Sequence, residues 1–291
     1  MKAIKEKDLL KFNENFDKKP VQKALSRVLV KNDLQNIFDK QETSMKNQFK
    51  FSHEIKTLPV TNQKASGRCW IFAGLNVLRE LVAKKYNLKN FELSQNYTAF
   101  WDKFEKINYF IEIMDDFLDV DTDDRTLKHV LQTGIQDGGQ WDMFVSLIEK
   151  YGVVPKEAMV ETTSSSGTRI MNQMINVKLR QYAAHARHLK QVGKAKDIEK
   201  LKEKTLDELY TFLVLNFGMP PKSFDFEYVV DDKYQVIKNL DPKSFYKDHV
   251  GDVLSDYVSI INAPTTDKPF MKTYTVAYLG NVIGGKEIKY L

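Results

Sequence analysis

Cys69 is the only cysteine among 291 residues, and it stands in the run Gln63-Lys64-Ala65-Ser66-Gly67-Arg68-Cys69-Trp70. A lone cysteine is ordinarily a small buried hydrophobe, but this one sits where a glycine-bearing loop gives way to the apolar run Trp70-Ile71-Phe72-Ala73. That is the pattern of a buried helix starting at the cysteine. A thiol in the first helical turn faces unpaired backbone N–H groups and the positive end of the helix dipole, and both favour the thiolate. The thiolate is the form that attacks a carbonyl carbon. Acyl transfer also needs a base, a group that orients the base, and donors for the developing oxyanion. Gln63, six residues upstream, can place its side-chain amide beside the Cys69 N–H to make a two-donor oxyanion hole.

The elements that must hold these groups follow from periodicity. A helix is expected from Cys69 to about Tyr86, apolar on nearly every face in its first half. A second opens at Ser94, a natural N-cap, with Tyr97, Trp101, Phe104, Ile107, Ile111, Met114 and Leu118 recurring at helical spacing. Asp137-Gly138-Gly139-Gln140-Trp141 breaks the chain before a helix over 142–150, which Gly152 and Pro155 close. Residues 170–217 read as two helices. Beyond Gly218-Met219-Pro220-Pro221, Phe224–Tyr228 alternates with period two and Tyr274–Leu279 is rich in β-formers, so strands and hairpins are expected there. Four regions result: an N-terminal helical wrap (1–59), a helical catalytic domain (60–167), a basic helical insertion (168–221) and the start of a β-rich domain (222–291).

Composition points to a globular chain. Hydrophobic content is 42% and charged content 29%, ordinary values for a folded protein. No stretch approaches the roughly 18 apolar residues of a membrane span, and Met1–Asp8 lacks a signal-peptide core. With one cysteine and no internal disulfide, a reducing cytoplasm is the expected location. The net charge is +5, yet residues 168–204 hold ten Lys/Arg against three Asp/Glu, a local surplus of seven. Such a stretch is foremost a solvated helix face with i,i+4 pairs, with nucleic-acid contact as the alternative. Gly280-Asn281-Val282-Ile283-Gly284-Gly285-Lys286 has phosphate-loop spacing, but Glu287 stands where Ser or Thr is needed, so a hairpin turn is expected. No Cys/His cluster suits a metal, and no cofactor is expected.

Gln63 through Phe72 resembles the active-site segment of papain-like cysteine peptidases, and Gly67-Arg68 before the cysteine resembles the bleomycin hydrolase and bacterial aminopeptidase C branch. Glu92–Tyr97 with Phe100–Lys103, Asp137–Met143, Lys150–Lys156, and Phe245-Tyr246 with His249-Val250 resemble the same branch. The resemblance implies an α+β papain-like cysteine peptidase fold, with the helical domain nearly complete and the β-rich domain incomplete. It implies Cys69 as nucleophile, Gln63 at the oxyanion, and Trp70, Gly138 and Gly139 against the substrate, the glycines letting two backbones approach. The activity implied is release of N-terminal residues from peptides by a cytoplasmic thiol aminopeptidase, a homo-hexamer in the family. Hydrolysis of bleomycin-type amides and nucleic-acid binding are also implied for some members. The family's His and Asn lie in its C-terminal half, beyond residue 291. None of His53, His129, His185, His188 and His249 has the context of that base. The alternatives are therefore an inactive truncated homologue, or a nucleic-acid-binding or scaffold role for the basic insertion.

Overall fold

Helix α3 (Cys69–Tyr86) is the axis of the fold. Two helices precede it: α1 (Glu6–Asp17) and α2 (Pro20–Leu29). The computed structural model describes residues 2–37, 45, 50–263 and 265–286. Contacts divide the chain into one unit of residues 1–56 and another of residues 57–291. In the first, α2 begins with Pro20, whose fixed φ suits a first helical position, and neither helix buries a residue. In the second, Ile71, Leu75, Leu78 and Val82 of α3 are fully buried. The helix ends at Asn87 in the left-handed conformation, as short polar side chains tolerate.

Helix α4 (Gln95–Ile113) is capped by Ser94, whose hydroxyl accepts the Tyr97 N–H at 3.0 Å and donates to the Met159 carbonyl at 2.5 Å. Buried residues occur around most of its circumference, including Asp102, Lys103 and Lys106. Helices α5 (Arg125–Thr133), α6 (Trp141–Tyr151) and α7 (Thr163–Ser166) follow. The long pair α8 (Arg169–Gln191) and α9 (Ile198–Phe217) packs back onto α4. Gly152 ends α6 at φ 72°, where a Cβ would lie 2.1 Å from the Pro242 carbonyl oxygen, so only glycine fits.

Among the described residues the one β-sheet is an antiparallel hairpin, β1 (Phe224–Val230) with β2 (Lys233–Leu240). Its turn residues Asp231 and Asp232 both have positive φ, as a tight hairpin turn of the right twist requires. Phe226 tucks under Phe91, Phe245 and Tyr86. A short helix α10 (Pro242–Phe245) and one π-turn (Tyr246–Val250) come next. The strand expected over Tyr274–Leu279 does not form: the segment holds one bridge position and a turn. Tyr278 has φ 55° and lays its ring on Phe117 at 5.0 Å. A positive φ is incompatible with strand geometry, and β-formers make a strand only where a partner edge is available. Gly280–Lys286 is a loop on α6, with the Lys286 N–H on the Ser146 hydroxyl at 2.8 Å; Glu287 lies outside the described residues. Among the described residues no helix is long and apolar enough to cross a membrane.

One contact sets the seat of α3 on α6. A Cβ on Gly74 would lie 2.7 Å from the Phe144 ring. Gly74→Ala, which forces that buried ring aside, is expected to lower stability by about 1–3 kcal/mol, read as a shift of the urea midpoint at unchanged m-value.

Candidate active site

Cys69 is exposed at the first position of α3, and no side chain caps the helix ahead of it. The loop that delivers it is tightly wound. Lys64 takes a left-handed conformation, and its N–H reaches the Asn62 side chain at 2.8 Å. The Gln63 side-chain amide donates to the Ser66 carbonyl at 2.7 Å, while the Ser66 hydroxyl donates back to the Gln63 carbonyl at 2.7 Å. One of the two amide N–H bonds of Gln63 is thus engaged and one is left over.

Arg68 anchors the loop from beneath. It is 1% exposed, its Nε donates to the Ser66 hydroxyl at 2.9 Å, and its two terminal nitrogens fork onto Glu161 at 3.0 and 2.9 Å. The planar fork matches a carboxylate in a way an ammonium cannot. The guanidinium also lies 5.3 Å from the centre of the Phe72 ring.

Residues 136–140, an unpaired extended segment around Gly138 and Gly139 (the glycine strand), meet this loop through Asp137. Its carboxylate accepts the Gly67 N–H at 3.0 Å, Lys103 Nζ at 2.5 Å, the Thr168 hydroxyl at 2.5 Å and the Asn172 amide at 2.8 Å. Its carbonyl accepts the Trp70 indole N–H at 2.6 Å. Lys106 donates to Asp102 at 2.7 Å and to the carbonyls of Gln136 and Gly138 at 3.0 and 2.7 Å, which uses all three of its protons. Burial opposes ionisation of Asp137, but the Lys103 ammonium and the donors Asn172 and Thr168 outweigh it and hold the carboxyl well below the usual carboxylate range. Burial pushes Asp102 the other way, upward, against the pull of Lys106 and Lys103. Burial and the Lys106 charge push Lys103 down, against Asp137 and Asp102.

The two glycines differ in what they face. A Cβ on Gly139 would lie 2.5 Å from the Trp70 ring, so Trp70 is what requires glycine there. A Cβ on Gly138 would meet nothing within 4 Å, so that position borders open space. Trp70 therefore closes against the glycine strand, with Lys106 5.1 Å from its ring centre. A cavity of about 360 Å³ beside the strand is lined in part by Lys106, Tyr109, His129, Gly138 and Tyr278.

Of the histidines in residues 57–291, His129 is the one in that cavity lining. His185 and His188 are on α8 and His129 on α5. His249 pairs its Nδ1 with the Tyr86 hydroxyl among Phe226 and Phe245; burial and Lys85 push it below its ordinary value. Among the described residues no hydrogen bond reaches the Cys69 thiol. Sequence reasoning singled out Gln63, Cys69, Trp70, Gly138 and Gly139 but missed Arg68, Lys103, Lys106, Asp137 and Glu161 as supports. The one available signal was the density of charge on a helix, α4, whose aromatic stripe marked it as core.

A model of the Peptidase C1-like family matches residues 3–291. The chain belongs to that family. Aminopeptidase C of Lactococcus lactis subsp. lactis is 45% identical over 282 residues, covering 97% of this chain and 64% of that protein. Aminopeptidase C of Listeria innocua is 48% identical, covering 97% of this chain and 63% of that protein. The chain thus spans less than two thirds of the length of these relatives. A crystal structure of PepW from Lactobacillus rhamnosis superposes with TM-score 0.95 at 45% identity, over 99% of this chain and 65% of that one. The fold is accordingly the α+β papain-like architecture of the family, with helices outweighing strands.

Two expectations follow for the supports. Arg68→Lys keeps the charge but loses the fork on Glu161, and a loss of about 2 kcal/mol is expected by chemical denaturation. Asp137 titrates lower when folded than the roughly 3.9 of an unfolded Asp, so its stabilisation is present above about pH 4 and is lost as pH falls through the folded value. The melting temperature of the wild type should therefore fall more steeply below pH 4 than that of Asp137→Asn, in which Asp102 is unchanged.

Proposed function

We propose that this chain acts in cysteine aminopeptidase chemistry, with Cys69 attacking the first peptide carbonyl of a substrate to form an acyl-enzyme. The observation that carries the reading is the exposed thiol at an uncapped helix start, held against an open glycine strand by Trp70 and Asp137. An attacking thiolate converts the carbonyl oxygen to an oxyanion, and donors aimed at that oxygen lower the barrier. The second Gln63 amide N–H and the Cys69 backbone N–H are the proposed pair. Gly138, with open space on its side-chain face, is proposed to let the substrate backbone lie alongside, and Trp70 to form the wall of the cleft. Substrates are proposed to be peptides with free N-termini, and the assembly a homo-hexamer, both on the family resemblance. A cytoplasmic location is proposed on the single, exposed thiol.

A second reading is peptide capture without turnover. It is favoured by the absence, among the described residues, of a histidine hydrogen-bonded to the Cys69 thiol, since amide cleavage needs a proton for the leaving amine. A nucleic-acid role has less support. Lys178 and Lys204 pair with Glu208, Lys190 with Asp119, and Lys202 with Glu112 and Asp115, so much of the basic charge is matched within the fold.

Two assays on the full chain separate these readings. An aminoacyl chloromethyl ketone needs no leaving-group proton and should alkylate Cys69 under either reading. A fluorogenic aminoacyl amide should be hydrolysed only under the first. Gln63→Ala is expected to slow that hydrolysis about 100-fold or more. Equal hydrolysis by wild type and Cys69→Ala would dispose of the peptidase reading.

A further inference from the structure

We propose that Asp137 is a positioning residue that locks the nucleophile loop to the substrate-binding glycine strand, so that Cys69 and Gly138 are set relative to each other by one side chain. The proposal rests on the peptidase reading above and extends it to a residue outside the reacting groups. Asp137 immediately precedes Gly138, and its carboxylate takes the N–H of Gly67, two residues before Cys69. Its own carbonyl takes the indole N–H of Trp70, the residue after Cys69. The loop is thereby gripped on both sides of the thiol by a single residue of the opposite wall.

Two further observations separate this arrangement from an ordinary buried ion pair. The same carboxylate oxygen that takes the Gly67 N–H also takes the Thr168 hydroxyl, while the other takes Lys103 and Asn172. Four donors, from the nucleophile loop, α4, and α8 with its N-cap Thr168, occupy both carboxylate oxygens. A Cβ on Gly67 would sit 2.8 Å from the Asp137 Cβ, so glycine two residues before the nucleophile is what allows loop and strand to close. The partner ammonium, Lys103, is 1% exposed, and a buried cation is tolerated only with its counter-charge. The strand is held from its other side by Lys106 on the Gly138 carbonyl. Reacting atoms must be set within a fraction of an ångström, and a displacement of about 1 Å can cost 100-fold in rate.

The test uses the full chain as wild type, Asp137→Asn and Gly67→Ala. Asp137→Asn removes the charge, whereas Gly67→Ala keeps both charges of the Lys103 pair and wedges loop and strand apart where the new Cβ meets the Asp137 side chain. The measured quantity is the rate of Cys69 alkylation by an aminoacyl chloromethyl ketone divided by the rate with iodoacetamide, each well below the melting temperature. A change in the folded fraction alone does not produce a lower ratio in protein that melts normally. The expected result is a fall in this ratio of about tenfold or more in both variants. A ratio within twofold of wild type in Gly67→Ala overturns the proposal, and that variant alone decides if Asp137→Asn does not fold. If wild-type Cys69 shows no more preference for the ketone than free N-acetylcysteine amide, the peptidase reading fails instead. The locking role is then judged by the iodoacetamide rate, and the proposal is overturned if Gly67→Ala leaves it unchanged.

Discussion

Two carboxylates and two ammonium groups, Asp102, Lys103, Lys106 and Asp137, share the space between α4 and the glycine strand, and the candidate site rests on them. Isolated, any one would be too costly to bury. Each ammonium is paired with a carboxylate, and the remaining Lys106 protons go to backbone carbonyls at Gln136 and Gly138. A charge network of this kind has few alternative arrangements, because each displacement strands a charge away from water. The strand is thereby held to a helix by directional bonds, where apolar packing alone would tolerate sliding. Asn281 adds its amide to Asp102 and to the Met143 carbonyl, which ties the loop beyond Tyr278 into the same set.

The nucleophile loop depends on this arrangement at second hand. It has little apolar surface of its own, with Gly67, Lys64, Ala65 and Cys69 exposed, so its conformation cannot come from hydrophobic burial. It comes instead from Arg68 beneath and Asp137 across, one satisfied by Glu161 and the other by Lys103. The two anchors differ in kind. The Arg68 fork fixes orientation through two parallel bonds, whereas Asp137 fixes separation, because a short carboxylate joins two backbones directly. Between them the helix start is left uncapped by side chains, so its N–H groups remain available to an incoming oxygen.

Local features were legible in the sequence and distant pairings were not. Ser94 as a cap, Gly152 as a stop and the extent of α3 each follow from residues within one helical turn, where propensity and capping chemistry act. The Asp137 network joins residues 31 to 70 apart, and the Arg68–Glu161 fork spans 93. No periodicity encodes such partners. The glycine pair shows the same limit. A Cβ on Gly138 would meet open space, whereas Gly139 is glycine because of a tryptophan 69 positions earlier that covers it. The unformed strand at Tyr274–Leu279 belongs to the same class, since composition supplies β-formers while only a neighbouring edge makes a strand.

Charge gave the most misleading local count. Residues 168–204 carry a surplus of seven positive charges, which suggests an exposed basic face when taken as a segment. In the fold, Lys202 is 9% exposed and is shared between Glu112 and Asp115, and Arg187 donates to the carbonyls of Phe117 and Val120. These acceptors all come from the end of α4 and the turn after it, an acidic stretch lying outside the counted window. The basic helices and that acidic turn are complementary surfaces of one packing interface, so the surplus describes how α8 and α9 are seated on α4. Field strength outside the protein depends on the charges left after such pairing. The lysines that remain exposed on this pair and its connection, among them Lys194, Lys196 and Lys200, form a weaker patch than the segment sum implies.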